Sequence, residues 1–445
     1  MRRVVTVTAL IAAALTAAVA AGARSLSPAT KNAPIKLTVW VGWSARELKE
    51  FKSVVSEYDA AHPDVVVNVV GSINDNKITA AIRSGNSPDV VSSFTSANVG
   101  VYCGTGAWVD LTHLLQKDNI SPSTFPAATR YYTQFAGHRC ALPLLADTFG
   151  LYYNKALLRK AGIAGPPKTL SELARDAKKL TQRSADGTIK VAGFVPLWGF
   201  YVGNTGDMSA YSPSVGGKYF DAAGKSTLSR DPAWTRLLNW QKNLVGWYGY
   251  NNLVKFTTGA GQEFSASNAF EAGKVAMLLD GEWRVAFLAA EHPELNYGTA
   301  PMAVDDAHPE LYGSGYINGT IIGIPKGGHH LQESWALVKY LTTDPHALAK
   351  FSNGIRNVPS TVASSQSKEL KPDTNFATFL KIFTNPHSVT IPITSAGTQY
   401  GTLITSFTAK WQAGKVKDLK GGLAKLDKDI DAQLAQSKTG GGSVP

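Results

Sequence analysis

Asp147 lies between an apolar run, Leu142-Pro143-Leu144-Leu145-Ala146, and a Gly-aromatic segment, Phe149-Gly150-Leu151-Tyr152-Tyr153-Asn154. The first run ends like a strand and the second starts another element, so one carboxylate sits at the junction. An unpaired Asp is costly to bury there unless something donates hydrogen bonds to it, and a ligand is one such donor. The local alternative is a cap, with Asp147 accepting from the Thr148 and Phe149 amides. Catalytic chemistry finds less support. The chain has no G-x-S-x-G elbow, no H-E-x-x-H and no Walker A string. Gly104-Thr105-Gly106 lacks the third glycine of a dinucleotide loop, and His329-His330 follows Lys326-Gly327-Gly328 as a solvated loop would. A glycosidase needs two carboxylates across a sugar, and nothing in the spacing pairs Asp147 with Asp280 or Glu282.

The elements that must position Asp147 read as alternating α/β. Residues 35–41 form a strand pattern, and Ser44-Ala45-Arg46-Glu47 fits a capping box before Leu48, Phe51, Val55 and Tyr58 on one helical face. His62-Pro63 stops that helix, and the β-branched run 65–70 suits a buried strand. A second helix pattern at 76–84 ends at Gly85, and Pro88-Asp89-Val90-Val91 begins a third strand, giving βαβαβ, the start of a doubly wound lobe. Beyond Asn154 the signals are more helical. Thr169-Leu170-Ser171-Glu172 is a capping box, Asp231-Pro232 and Asp344-Pro345 are helix starts, and 332–341 is a helix. Residues 270–279 read as a helix end turning into a strand, and 296–302 and 320–324 are strand-like. Leu419, Leu423, Leu426, Ile430 and Leu434 fall in register on a C-terminal helix.

Length and composition bound the rest. At 445 residues two domains are the default, and 44% hydrophobic with 17% charged residues is globular. Residues 1–23 read as a signal peptide, with Arg2-Arg3 before an Ala/Thr/Val run and small-residue cleavage sites. Export favours a disulfide between Cys103 and Cys140, the only two cysteines. The net charge of +11 falls to +9 without Arg2 and Arg3. Its Lys and Arg are scattered rather than striped, so nucleic-acid binding is not expected.

Five blocks in order resemble the family 1 extracellular solute-binding proteins, the sugar-binding subunits of ABC importers. They are Leu37-Thr38-Val39-Trp40 with Gly42-Trp43; Ser87-Pro88-Asp89-Val90-Val91; the Asp147 stretch through Asn154; Phe270 to Met277 with Asp280-Gly281-Glu282-Trp283; and Gly323-Ile324-Pro325-Lys326-Gly327. Ser214-Val215-Gly216-Gly217 before Tyr219-Phe220-Asp221 is similar to a family loop as well. The resemblance implies a two-lobed periplasmic-binding-protein-like fold, each lobe a sheet flanked by helices, with the ligand cleft between lobes. The first lobe is expected to hold 34–143 plus 298–343, the second 144–297 plus 344–437, and 438–445 a flexible tail. The Asp147 stretch would carry the chain from one lobe to the other, its carboxylate reaching a bound sugar.

A sugar offers hydroxyl rims and apolar C–H faces, so a site needs aromatic platforms with a few carboxylates, amides and guanidinium groups. On that chemistry and the resemblance, the ligand-binding candidates are Trp43, Ser93, Phe94, Asp147, Trp198, Tyr201, Gly217, Trp283, Tyr316, Asn318 and Arg356. For Trp43 the competing role is packing against the first helix; for Trp283 it is lobe core; for Tyr316 and Asn318, an ordinary Gly-rich loop. Trp198 and Tyr201 lie in a Gly-punctuated loop, where large aromatics suit binding better than packing. The implied partners are a mono- or oligosaccharide and an ABC permease, with a monomeric protein and no catalytic residue, metal or cofactor. The competing readings are a sugar-processing enzyme, or the same fold binding a glycerol phosphoester, a polyamine or a metal chelate. The expected location is the periplasm or the outer face of the cytoplasmic membrane, and no cysteine near residues 20–24 offers a lipid-attachment site.

Overall fold

The computed structural model describes residues 33–199, 206–265 and 267–439. The expected signal peptide, Tyr201 and most of the expected tail lie outside them. Strands are numbered along the chain. β1 (Ile35–Trp40), β2 (Val65–Val70) and β3 (Val90–Ser93) run parallel, with β1 in the middle. They are joined through α1 (Ala45–Ala61) and α2 (Asp75–Ser84), so the βαβαβ pattern takes the form its hydrophobic periods predict. α1 buries Phe51, Val54, Val55 and Tyr58 along one face. α2 starts where the Asn74 side chain accepts from the Lys77 amide and stops at Gly85, whose φ of 73° is left-handed. β4 (Leu142–Leu145) and β10 (Thr320–Gly323) complete a five-stranded sheet in the order β2-β1-β3-β10-β4.

The second sheet is antiparallel: β5 (Phe149–Asn154) lies between β8 (Met277–Gly281) and β9 (Tyr297–Ala300). A short hairpin, β6 (Gln182–Arg183) with β7 (Ile189–Val191), stands apart from it. Helices cover this lobe, several with the caps the sequence predicts. Thr169 and Glu172 cap each other's backbone reciprocally, and Asp231 and Asp344 each accept from a first-turn amide before a proline. The last helix, Leu419–Thr439, buries Leu423, Leu426, Ile430 and Leu434. The protein is thus a two-lobed α/β fold, each lobe a sheet flanked by helices.

Three expectations change. Ser44 makes no side-chain cap bond, because Ala45 takes a left-handed φ of 44° that turns the first residues of α1 out of capping geometry. Residues 270–273 are turns rather than a helix end, with Gly273 at φ 68°. The return to the first lobe also lies further along than 298–343. β9 is hydrogen-bonded to β5, whereas the helix Pro345–Ile355 packs Phe351 and Ile355 into the core shared with α1. Pairing and packing place the return between about residues 318 and 358.

Cys103 and Cys140 form a disulfide, with Cα atoms 5.5 Å apart. It ties α3 (Val99–Gly104) to the chain leading into β4. Closing a loop with a sequence separation of 37 stabilises by about 3–4 kcal/mol in the chain-entropy picture.

Candidate functional site

Three stretches of chain lie side by side between the sheets: 145–149, 316–320 and 357–359. The Ala146 amide donates to the Val358 carbonyl at 2.9 Å, Phe149 to Tyr316 at 3.1 Å, and Asn318 to Asp147 at 2.9 Å. Glu282, just past β8, pins two of these crossings. Its Oε2 accepts from the Thr148 amide at 2.7 Å and its Oε1 from the Val358 amide at 3.1 Å. Burial, and then the charge of Asp147, push the Glu282 carboxyl well above the usual carboxylate range.

Asp147 sits at the middle of this ribbon and is 7% exposed. Its Oδ1 accepts from Asn357 Nδ2 at 2.9 Å and its Oδ2 from Thr320 Oγ1 at 3.4 Å. Both donors are neutral. Burial therefore dominates and raises the pKa to about 7. The capping alternative is not realised, because the Thr148 amide goes to Glu282 and the Phe149 amide to Tyr316.

Aromatic rings flank the ribbon. Phe149 meets Trp283 edge-on at 5.3 Å and Tyr316 at 5.0 Å, forming a row on the second lobe. On the first lobe Phe94 is 45% exposed and lies 5.6 Å from Trp43. A cavity of about 310 Å³ opens between lobes, with Phe94, Ser96 and Asn318 on one side and Asp207, Tyr219, Tyr316 and Tyr400 on the other. That volume is at the small end of ligand pockets, which run from about 300 to 1,000 Å³. Asn318 holds the near wall together: its Oδ1 accepts from Ser96 Oγ at 2.6 Å and its Nδ2 donates to the Phe94 carbonyl at 3.4 Å. Arg46 crosses between lobes elsewhere, donating to the Ala286 carbonyl at 3.0 Å with its guanidinium 4.7 Å from the Phe287 ring centre. Beside it, burial raises the Glu47 carboxyl above its ordinary range.

A model of the bacterial extracellular solute-binding protein family matches residues 42–347. The chain belongs to that family. Among relatives of this solute-binding protein, the maltotriose-binding protein of Pyrococcus abyssi is 23% identical over 345 residues, 76% of this chain and 69% of the other. The maltodextrin-binding protein MdxE of Bacillus subtilis is 24% identical over 390 residues, 86% of this chain and 87% of the other. The solved structure of CpMnBP1 with mannotriose bound has a TM-score of 0.78 at 26% identity, covering 89% of this chain and all of that one. The GacH receptor of Streptomyces glaucescens shares the fold, with a TM-score of 0.71 at 22% identity over 90% of this chain and 99% of the other. The family and these relatives are binding proteins.

Within this solute-binding protein the candidates from the sequence fall into three groups. Phe94, Asp147, Trp283, Tyr316 and Asn318 come together along the ribbon and the cavity. Ser93 is one residue away, with its Oγ accepting from the Thr95 amide at 3.0 Å. Trp43 is 4% exposed and packs on Phe51 and Phe351 in the first-lobe core, touching the cavity wall only through Phe94. Three others are engaged locally. Trp198 is 2% exposed and accepts at its carbonyl from the Tyr211 hydroxyl. Gly217 makes room for the indole of Trp234, which a Cβ would meet at 2.9 Å. Arg356 caps the helix Pro345–Ile355 with a left-handed φ of 59° and donates to the Lys371 carbonyl at 2.7 Å. Its neighbour Asn357 is the residue that reaches Asp147.

Several members of the site escaped sequence reasoning. Tyr219, Tyr400 and Asp207 line the cavity from distant parts of the chain, and none has a local pattern that separates it from a core or turn residue. Glu282 had a signal, a carboxylate after an apolar strand, the same one that marked Asp147. Among the described residues no group of three His, Cys, Asp or Glu side chains could hold a metal ion, and no helix is long and apolar enough to cross a membrane.

Proposed function

We propose that this protein captures a neutral oligosaccharide in the interlobe cleft and delivers it to an ABC importer permease, acting as a monomer and without catalysis. The observation that carries the reading is Asp147. It is a buried carboxylate on the chain crossing, supplied only with neutral hydrogen-bond donors and close in sequence to Phe149 of an aromatic row. Hydroxyl groups of a sugar supply further donors without bringing charge, and the Tyr316 and Trp283 rings, backed by buried Phe149, suit its C–H faces. A ligand touching both lobes favours the closed state by its differential contacts.

A second reading has a specific observation behind it. The sn-glycerol-3-phosphate-binding protein of Pectobacterium atrosepticum is 25% identical over 303 residues, 66% of this chain and 65% of the other. The cavity argues against a phosphoester here, because its described lining holds Asp207 and no Lys, Arg or His to meet a phosphate.

Thermal melting of the protein with maltotriose, mannotriose, glycerol 3-phosphate, spermidine and ferric citrate tests both. Ligand at a hundred times its Kd adds about 2.7 kcal/mol of stability. Stabilisation by a neutral oligosaccharide is expected, and a response restricted to the charged solutes would overturn the ligand class. Release of shorter sugars on incubation would overturn the non-catalytic reading. Export with cleavage near residue 23 is checked by the mass of the mature N-terminus, and the monomer by light scattering.

A further inference from the structure

The Trp283 indole is located by sterics but oriented by one hydrogen bond. Its ring covers Gly281 so closely that any Cβ there would overlap it, and its N–H donates to Glu263 Oε1 at 3.0 Å. Glu263 belongs to a buried cluster. Arg284 Nη1 bonds Glu271 Oε1 at 2.7 Å and its Nε bonds Asp280 Oδ2 at 2.8 Å, while its Nη2 stands 3.9 Å from Glu263 Oε1. Arg284, Asp280, Glu271 and Glu263 are all buried. Two carboxylates thus take the close contacts of the single guanidinium. The third makes its short hydrogen bond to Trp283 instead. Burial, with the Asp280 charge, raises Glu263 to about 9, so it is neutral at physiological pH.

A third carboxyl beside one buried Arg is poorly explained by stability, because an apolar side chain of that size would cost less desolvation. It is well explained as a fixed acceptor for an indole. The segment is held from its other side too. Phe264 packs on Phe287 at 5.2 Å, and Phe287 lies under Arg46 of the opposite lobe.

We propose that Glu263 is a positioning residue that sets the Trp283 indole as a wall of the ligand cleft, held in place by the Arg284 cluster. This rests on the reading of Trp283 as a sugar platform, and the test separates the two. Fluorotryptophan-labelled full-length protein gives a fluorine resonance for Trp283, identified by its loss in Trp283→Phe. Calorimetry with maltotriose and mannotriose reads affinity. Glu263→Gln keeps a neutral oxygen acceptor and should leave the resonance in place and Kd within about twofold of the parent. Glu263→Leu removes the acceptor, and should shift or broaden the resonance and raise Kd about tenfold, the loss of one hydrogen bond. Glu263→Met serves the same comparison if the Leu variant fails to fold. An unmoved Trp283 resonance in the apolar variant would overturn the positioning role. A moved resonance with unchanged sugar affinity would overturn the assignment of Trp283 to the cleft. If the parent binds neither sugar, the carbohydrate reading fails while the resonance still decides whether Glu263 orients Trp283.

Discussion

Asp280 and Glu282 are two residues apart at the end of one strand, and they meet opposite surroundings. Asp280 joins Glu271 and Glu263 around Arg284, a cluster whose charges are met by a cation inside the second lobe. Glu282 joins Asp147 on the chain crossings, where every hydrogen-bond donor found is an amide or a hydroxyl. The first cluster carries its own cation, bonded at close range to two of its three carboxyls. In the second, burial raises both carboxyls, Glu47 adds to the effect on Asp147 and Asp147 to that on Glu282, so that a proton stabilises it. What a buried carboxyl does here depends on whether a cation faces it.

Substituting the cation should break that contrast most severely. Arg284→Met leaves three carboxyls buried without their partner, and we expect a loss of about 3–5 kcal/mol in denaturant unfolding. A loss below about 1 kcal/mol would mean the cluster neutralises itself by taking up protons.

On the other cluster the effect should move from stability to binding. Asp147→Ala is expected to weaken oligosaccharide binding by about 1.5–3 kcal/mol, the worth of hydrogen bonds to a charged group. Its unliganded stability should change by less than about 1 kcal/mol, since removing a carboxyl that burial disfavours offsets the acceptor lost by buried Asn357 and Thr320. Unchanged affinity with a lowered melting temperature would make Asp147 a structural residue.

The same cluster should respond to pH. In the unfolded chain Asp147 releases its proton near about 4, whereas the folded protein keeps it to about 7. The native state therefore binds more protons within this window, so stability falls as pH rises through it and levels off above. On the proposed reading, sugar hydroxyls donate to the ionised form, so affinity should run the other way and rise from about pH 6 to about pH 8. Asp147 and Glu282 titrate as a pair, and the profile reports the pair. Calorimetry in buffers of different ionisation heat would detect the released proton, and Asp147→Asn should flatten the profile.

The smallest effect should come from the interlobe contact. Arg46→Ala removes one hydrogen bond and one cation–π contact between lobes, and should expand the average shape seen by X-ray scattering. Affinity should fall by about 0.5–1 kcal/mol, as expected for partly exposed contacts. Identical scattering would place the lobes' relative position under the control of the three crossings alone.

Much of this was legible in the chain. The opening βαβαβ of the first lobe follows its hydrophobic periods to within a residue or two, because β2 is a β-branched run and β1 and β3 alike carry Ile, Thr or Val between turn residues. Asp147 stood out because a carboxylate between two apolar elements conflicts with its surroundings. Trp198, Gly217 and Arg356 show the limit of such reading. A loop aromatic, a Gly pair and a lone Arg have the same local pattern whether they face a cleft, an indole or a helix end. Ser44 shows another limit, since a capping-box string gives no cap when the backbone behind it turns left-handed.

A family resemblance implied the crossing that carries Asp147, whereas the sequence by itself determined the kinds of element and the cysteines available for a bridge. These follow from local periodicity, backbone preference and composition. Tertiary structure alone decided that Asn357 and Thr320 satisfy Asp147, that Glu282 ties the crossings while Asp280 meets Arg284, and that Tyr219 and Tyr400 share a cavity with Phe94. The physical reason is range. Such partners lie up to hundreds of residues apart, and their meeting is set by how two sheets pack around three crossings, which no window of sequence contains.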